Sequence, residues 1–500
     1  MTSYILNKGY ALRGWQRLPF ALFTPSYGVS FLDADAFEAL SCCDGEIGME
    51  HIPERLHPTV EKLAGSGIVS ECAPGSRLDA WQRYRRFDSR FMRTAHWSIT
   101  GHCNYRCRHC YMSAPDAKYG QLSTEKCLSI ADEIAGCGIR EVSITGGEPL
   151  VRKDFWQIID RLLAYRIRIT TVYSNGKLVT PELLDGFDAR GIRPEFNMSF
   201  DGVGFHDWLR GVEGAEREVN RALALCHERG FPLGAELTLH QRNKGTLRES
   251  INHLAGLGVA HIKTNPAGKT GAWAQNAGDD DLSLEETLEA YLDYIPHYYE
   301  DGQPMNVMLG GAFYARRGDP AFQIPAQKSC GGDETALMAQ CVCGHARQVM
   351  YIAADGKVLP CMALSGMDIQ QDFPGLEDMS LAQCLSDSYY MGFIDTRLKD
   401  YLAHNERCQT CEQRLVCGAG CRASALVDHP DDLMAPDEGF CLILRGGFAE
   451  RIYETATAAG GIDAASVKRD EGASKRRQKE DGSPDPSSHR LISKEKEASP

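Results

Sequence analysis

From about residue 96 onward, short runs of β-branched and aromatic residues alternate with stretches whose apolar residues recur every three or four positions. The first periodicity belongs to strands and the second to amphipathic helices. The runs predict strands at His96–Thr100, Glu141–Thr145, Arg168–Tyr173, Glu195–Phe200, Gly234–Leu239 and His261–Asn265. Helices are predicted between them at Thr124–Ala135, Phe155–Tyr165, Ala215–Arg229 and Leu247–Leu257. Repeated strand–helix units predict an α/β fold with a parallel sheet, in which working groups gather at the C-terminal ends of the strands. Those ends carry Ser174-Asn175-Gly176, Ser199-Phe200-Asp201-Gly202 and Lys263-Thr264-Asn265-Pro266.

The pattern before residue 80 is different. Tyr10–Trp15, Phe20–Thr24 and Val29–Leu32 alternate as three short strands, with turns at Arg17-Leu18-Pro19 and Pro25-Ser26-Tyr27-Gly28. Asp33 is placed to cap a helix, Pro58–Ala64 forms a second one ended by Gly65-Ser66-Gly67, and Ile68–Ser70 returns as an edge strand. This order predicts a winged-helix-like α+β module over 1–80. Past about Gly460 the chain turns rich in Lys, Arg, Glu, Asp, Ser and Pro. Such a stretch cannot bury enough apolar surface to offset its ordering entropy, so a disordered tail is expected over 460–500.

Chemistry enters with GHCNYRCRHCYM, where Cys103, Cys107 and Cys110 form a C-x3-C-x2-C run just after the first predicted sheet strand. Three thiolates this close suit one iron–sulfur cube, and no fourth cysteine follows until Cys127. One iron would therefore be left for another ligand. A three-thiolate zinc site is the plainer alternative, although zinc usually takes four compact ligands. The strand Glu141–Thr145 then runs into Gly146, Gly147, Glu148 and Pro149. The glycines allow close backbone approach to a ligand, and Glu148 offers an acceptor for an ammonium group. By itself this motif could be an ordinary strand-to-helix turn.

A second cysteine array follows: Cys343, Gly356 and Cys361, then Cys408-x2-Cys411-x5-Cys417-x3-Cys421, then Cys441. Gly356 lies between Gln348–Ala353 and Val358–Leu359 and reads as a hairpin turn that returns Cys361 beside Cys343. Zinc ribbons are the structural alternative for these hooks.

The triad followed by Gly146–Pro149 resembles the radical SAM superfamily, and the later array resembles its seven-cysteine SPASM extension. The resemblance implies a partial (β/α)6 barrel. It also implies a [4Fe–4S] cluster on Cys103, Cys107 and Cys110, whose open iron binds S-adenosylmethionine (SAM) and cleaves it to a 5′-deoxyadenosyl radical. Gly146, Gly147, Glu148 and Pro149 would bind the SAM amino group, with Ser174, Asn175 and Ser199 at ribose or carboxylate and His109 near the adenine. For Ser174, Asn175 and Ser199, a role as helix cap or turn former stays equally open.

Three [4Fe–4S] clusters are implied in all. Cys408, Cys411, Cys417 and Cys441 would hold the outer auxiliary cluster, and Cys343, Cys361 and Cys421 the inner one. Cys330 and Cys341 are alternatives for its fourth ligand, or that iron stays open. The N-terminal element order resembles the PqqD-like peptide-recognition modules, in which a leader peptide adds to a sheet edge. The implied layout is 1–80 for recognition, 81–325 for the barrel and 326–450 for the auxiliary clusters.

Together these imply an oxidoreductase that modifies a ribosomally made precursor peptide by thioether or carbon–carbon crosslinking, supplied by a flavodoxin or ferredoxin-type reductant. An anaerobic sulfatase maturase is the alternative, but Met362 follows Cys361 where those enzymes carry an Asp. A non-catalytic iron–sulfur electron carrier would have no use for Glu148 beside a three-cysteine loop.

Composition narrows the setting. Nineteen cysteines could suggest disulfides, yet ten fall in the triad and the seven-cysteine array, which implies a reducing, cytoplasmic compartment. Met1–Arg13 lacks a secretion signature, and no apolar run is long enough to span a membrane. A net charge of −14, from 54 Lys+Arg against 68 Asp+Glu, argues against nucleic-acid or anionic-membrane partners.

Overall fold

A computed structural model describes residues 2–461, apart from 74, 113, 115–117, 270, 325–332 and 431. Cys330 and nearly all of the expected tail lie outside the described residues. The chain divides into two units, one running to Phe91 and including Gly136–Arg140, the other taking up at Met92.

The first unit contains β1 (Ser3–Leu6), β2 (Ala11–Gln16), β3 (Leu18–Phe23), β4 (Val29–Phe31), β5 (Asp44–Gly48), β6 (Val69–Cys72) and β7 (Arg85–Arg90). They form a three-stranded sheet, β5-β1-β6, and a four-stranded sheet, β4-β3-β2-β7. The helix Ala34–Cys42 starts as its cap predicts, with the Ala36 N–H donating to Asp33 Oδ1 at 2.8 Å. The helix His57–Gly65 follows, and Leu6, Leu40, Leu56, Val60 and Val69 form one buried core. Trp15 is fully buried, stacks on Phe87 at 5.4 Å and donates from Nε1 to the Cys137 carbonyl at 2.8 Å. Strands β1, β5 and β7 go beyond the expected set. The Asp44–Gly48 segment carries two glycines and has little strand propensity of its own; its pairing with β1 makes it a strand.

The second unit holds β8 (Thr94–Ser98), β9 (Glu141–Thr145), β10 (Arg168–Ser174), β11 (Glu195–Ser199), β12 (Leu233–Leu239), β13 (His261–Pro266), β14 (Asn306–Leu309), β15 (Phe313–Ala315), β16 (Phe322–Gln323), β17 (Val349–Ile352) and β18 (Val358–Leu359). β8 to β14 pair in parallel in chain order. β15 and β16 continue antiparallel at one end, and the β17–β18 hairpin joins the other, with β17 parallel to β8. The result is an α/β fold around one open, parallel-rich sheet. Every residue of β9 is buried, as in parallel sheets covered on both faces.

Helices Thr124–Gly136, Phe155–Ala164, Ala215–Glu228 and Leu247–Gly256 stand where the apolar spacing places them. β8 begins two residues before the expected His96, because the Arg93 and Thr94 N–H groups both donate to the Gln348 carbonyl at 3.0 Å. The hairpin turns at Gly356, whose φ of 84° suits glycine. Among the described residues, no helix is long and apolar enough to cross a membrane.

Candidate functional site

The loop after β8 carries the three cysteines and is clamped by distant segments. Gly147 N–H donates to the Thr100 carbonyl at 2.8 Å, and Glu148 N–H to His102 at 2.9 Å. Arg108 N–H donates to Leu209 at 2.8 Å, and Ala272 N–H to Cys110 at 3.0 Å. The fit leaves no room for side chains. A Cβ at Gly147 would collide with the His102 carbonyl, and one at Gly211, where φ is 66°, with that of Arg106. Gly211 had no signal in the sequence, because its partner lies about a hundred residues upstream.

Hydrogen-bond donors surround the sulfurs. Tyr105 N–H lies 3.4 Å from Cys103 Sγ, Ala114 N–H 3.4 Å from Cys110 Sγ, and Arg210 Nη1 3.7 Å from Cys107 Sγ. Asn175 Nδ2 lies 3.9 Å from Cys103 Sγ. Burial pushes the Cys103 thiol up to about 12, so ionising it calls for a cation in the loop. Such donors are what iron-bound thiolates take from their surroundings. The donor set fits a cluster.

Glu148, three residues beyond β9, is completely buried. It accepts from Asn175 N–H at 2.8 Å, Leu150 N–H at 3.1 Å and Ser174 Oγ at 3.1 Å. Burial pushes its carboxyl up to about 7, while these donors pull the other way. A carboxylate has about four lone-pair sites, so one remains for an ammonium group. Ser174 and Asn175, expected at the SAM ribose or carboxylate, both donate to Glu148, and Asn175 Nδ2 also donates to Asn104 Oδ1 at 2.7 Å. Pro149 is buried and opens the turn Pro149–Val151. Gly146 packs against the Thr100 carbonyl. Ser199 ends β11 opposite Glu236 of β12. His109 has Nδ1 buried without a partner among the described residues, and burial, with Arg210 adding, lowers its ring to about 3.

Sequence reasoning placed Asp201 only within the strand-end run Ser199–Gly202 and did not reach His206 or Arg210. Arg210 Nε donates to Asp201 Oδ2 at 2.6 Å, and Asp201 N–H donates to His206 Nδ1 at 3.0 Å. Burial pushes the Asp201 carboxyl up, but Arg210 and His206 outweigh it and hold the group well below the usual carboxylate range.

The later cysteines fall into neighbourhoods. Burial pushes Cys361 up to about 12, with Cys421 and Cys343 adding to it. Burial does the same to Cys417, where Cys441 and Cys408 are among the neighbours. Cys411 N–H donates to the Cys408 carbonyl at 3.2 Å, and Arg407 Nη2 donates to Cys441 Sγ at 3.2 Å. Cys341 Sγ accepts from Arg397 Nη1 at 3.1 Å. Every cysteine among the described residues is free of disulfides.

Residues 97–254 match the family model described as the Radical SAM superfamily, so the chain carries a radical SAM domain. It is similar to the PqqA peptide cyclase of Granulibacter bethesdensis, at 27% identity over 65% of this chain and 81% of that protein. It is also similar to the AdoMet-dependent heme synthase of Methanosarcina barkeri, at 26% identity over 70% of this chain and 96% of that protein. In fold it matches Streptococcus suis SuiB bound to precursor peptide SuiA, with TM-score 0.62 and 14% identity, covering 88% of this chain and 100% of that one.

Proposed function

We propose that the chain is a radical SAM enzyme that oxidatively crosslinks a ribosomally made precursor peptide. The observation that carries this reading is the three-cysteine loop clamped beside the buried, pre-oriented Glu148, in a chain similar to a peptide cyclase over most of its length. Cys103, Cys107 and Cys110 would hold the cluster. When bound, that cluster with SAM supplies the 5′-deoxyadenosyl radical.

The chain's own groups bind and orient. Glu148 receives the SAM ammonium, and Ser174 and Asn175 fix the carboxylate. Cys408, Cys411, Cys417 and Cys441 hold an outer auxiliary cluster, and Cys343, Cys361 and Cys421 an inner one. Residues 1–80 serve as the PqqD-like module for the leader, 81–325 as the barrel and 326–450 as the auxiliary domain. The setting is cytoplasmic, with a flavodoxin or ferredoxin-type reductant.

A porphyrin substrate is the second reading, favoured by the similarity to the heme synthase. Against it, one face of the sheet carries His96, Ser143, Tyr173, Asn197, Glu236 and Lys263 on neighbouring strands. That face is polar, which suits peptide groups better than a large apolar ring. Anaerobically reconstituted protein, incubated with SAM, reductant and a short peptide encoded beside it, should release 5′-deoxyadenosine and give a peptide lighter by two hydrogens. No 5′-deoxyadenosine rejects the enzyme; its release with the peptide mass unchanged rejects this peptide reaction.

A further inference from the structure

We infer that Arg210, held by Asp201, is a positioning residue that sets the reduction potential of the SAM-binding cluster through the sulfur of Cys107. The inference rests on the reading that Cys107 is a cluster ligand. Arg210 closes the short helix His206–Arg210 and is buried, as is Asp201. Its Nε lies 2.6 Å from Asp201 Oδ2, and its Nη1 3.7 Å from Cys107 Sγ.

Asp201 is itself fixed. Its Oδ1 accepts from Thr238 N–H at 3.1 Å, and its carbonyl accepts from Asn243 Nδ2 at 2.8 Å. Its own N–H donates to His206 Nδ1 at 3.0 Å. The Arg210 guanidinium is turned toward the Cys107 sulfur, and it cannot lose its charge.

Reducing a cluster adds one negative charge, and its potential follows net charge and hydrogen bonds at the sulfurs. A fixed cation at Cys107 favours the reduced state, and the Asp201 carboxylate partly offsets it. The two residues therefore act on the potential with opposite sign, which a merely structural pair would not do.

The test is an EPR-monitored redox titration of the full-length reconstituted protein, following the signal that changes when SAM is added. Arg210→Gln should move its midpoint to lower potential, and Arg210→Lys, which keeps the charge, should restore part of the shift. Asp201→Asn should move it to higher potential. If Arg210→Gln fails to hold iron, the upward shift in Asp201→Asn still decides the matter. Unchanged midpoints, or shifts in the same direction for the Arg210→Gln and Asp201→Asn variants, overturn the inference. A parent protein with no SAM-responsive signal instead sinks the reading of the site on which it stands.

Discussion

Ser174 Oγ stands 3.1 Å from each carboxylate oxygen of Glu148, astride the group rather than to one side of it. A hydroxyl at the end of one strand thus fixes the carboxylate in the turn that follows the neighbouring strand. The same Oγ accepts from Gly176 N–H at 3.1 Å, so its own orientation is set by the turn that follows.

Removing that hydroxyl should loosen the carboxylate without emptying the site. Hydrogen bonds to charged groups contribute about 1.5–3 kcal/mol, so Ser174→Ala should weaken SAM binding roughly 10- to 100-fold. Calorimetric titration with SAM checks this. An unchanged affinity would mean that Asn175 and Leu150 suffice to orient Glu148.

Glu148 also predicts a pH dependence. Its folded carboxyl lies at about 7 against a reference of 4.5, so the fold favours the protonated form. The favourable contribution is fully present below the reference value and is lost as pH rises through about 7. The loss is on the order of 3 kcal/mol. Thermal melts of cofactor-free protein between pH 4.5 and 7.5 should show this slope, and Glu148→Gln should remove it. SAM, which brings an ammonium group, should bind more tightly as pH rises through the same window.

Gly147→Ala should damage the cysteine loop more than the sheet. The new methyl would meet the His102 carbonyl, which is backbone and cannot swing aside. Overpacking of this kind costs about 1–3 kcal/mol. Iron content after reconstitution should fall while far-UV circular dichroism stays near that of the parent.

Cys341 and Cys361 can be told apart by their effect on iron content. Cys361 neighbours Cys343 and Cys421, whereas Cys341 is engaged by Arg397. Cys361→Ala should therefore lose one cluster's worth of iron, and full iron content in Cys341→Ala would leave that residue out of the ligand set. Iron analysis with Mössbauer spectroscopy separates the two. Iron loss in Cys341→Ala would make that residue the fourth inner ligand.

Much of this architecture could be read before any coordinates. Glu141–Thr145 is a β-branched run fully buried on both faces, so burial and propensity agree. Asp33 announced its helix through local cap chemistry. What escaped reading depends on distant partners. Ser3–Leu6 and Asn306–Leu309 are four-residue strands that exist because neighbours of matching register lie beside them. The helix Leu284–Glu300 contains Pro296, which breaks the pattern a reader relies on. At the site, the cysteine spacing and the Gly146–Pro149 run stand out because they are local. Arg210 on Cys107 and Gly211 under Arg106 are contacts across about a hundred residues, which no spacing rule reaches.

The parallel seam between β17 and β8, Tyr351 opposite His96 and Ile352 opposite Trp97, has a practical corollary for anyone cutting this chain. A fragment that stops short of Val349 would leave the edge of Thr94–Ser98 that faces away from Glu141–Thr145 unpaired, inviting sticky self-association. Swaps of the rear module between homologues would have to carry the Val349–Ile352 ribbon along with it.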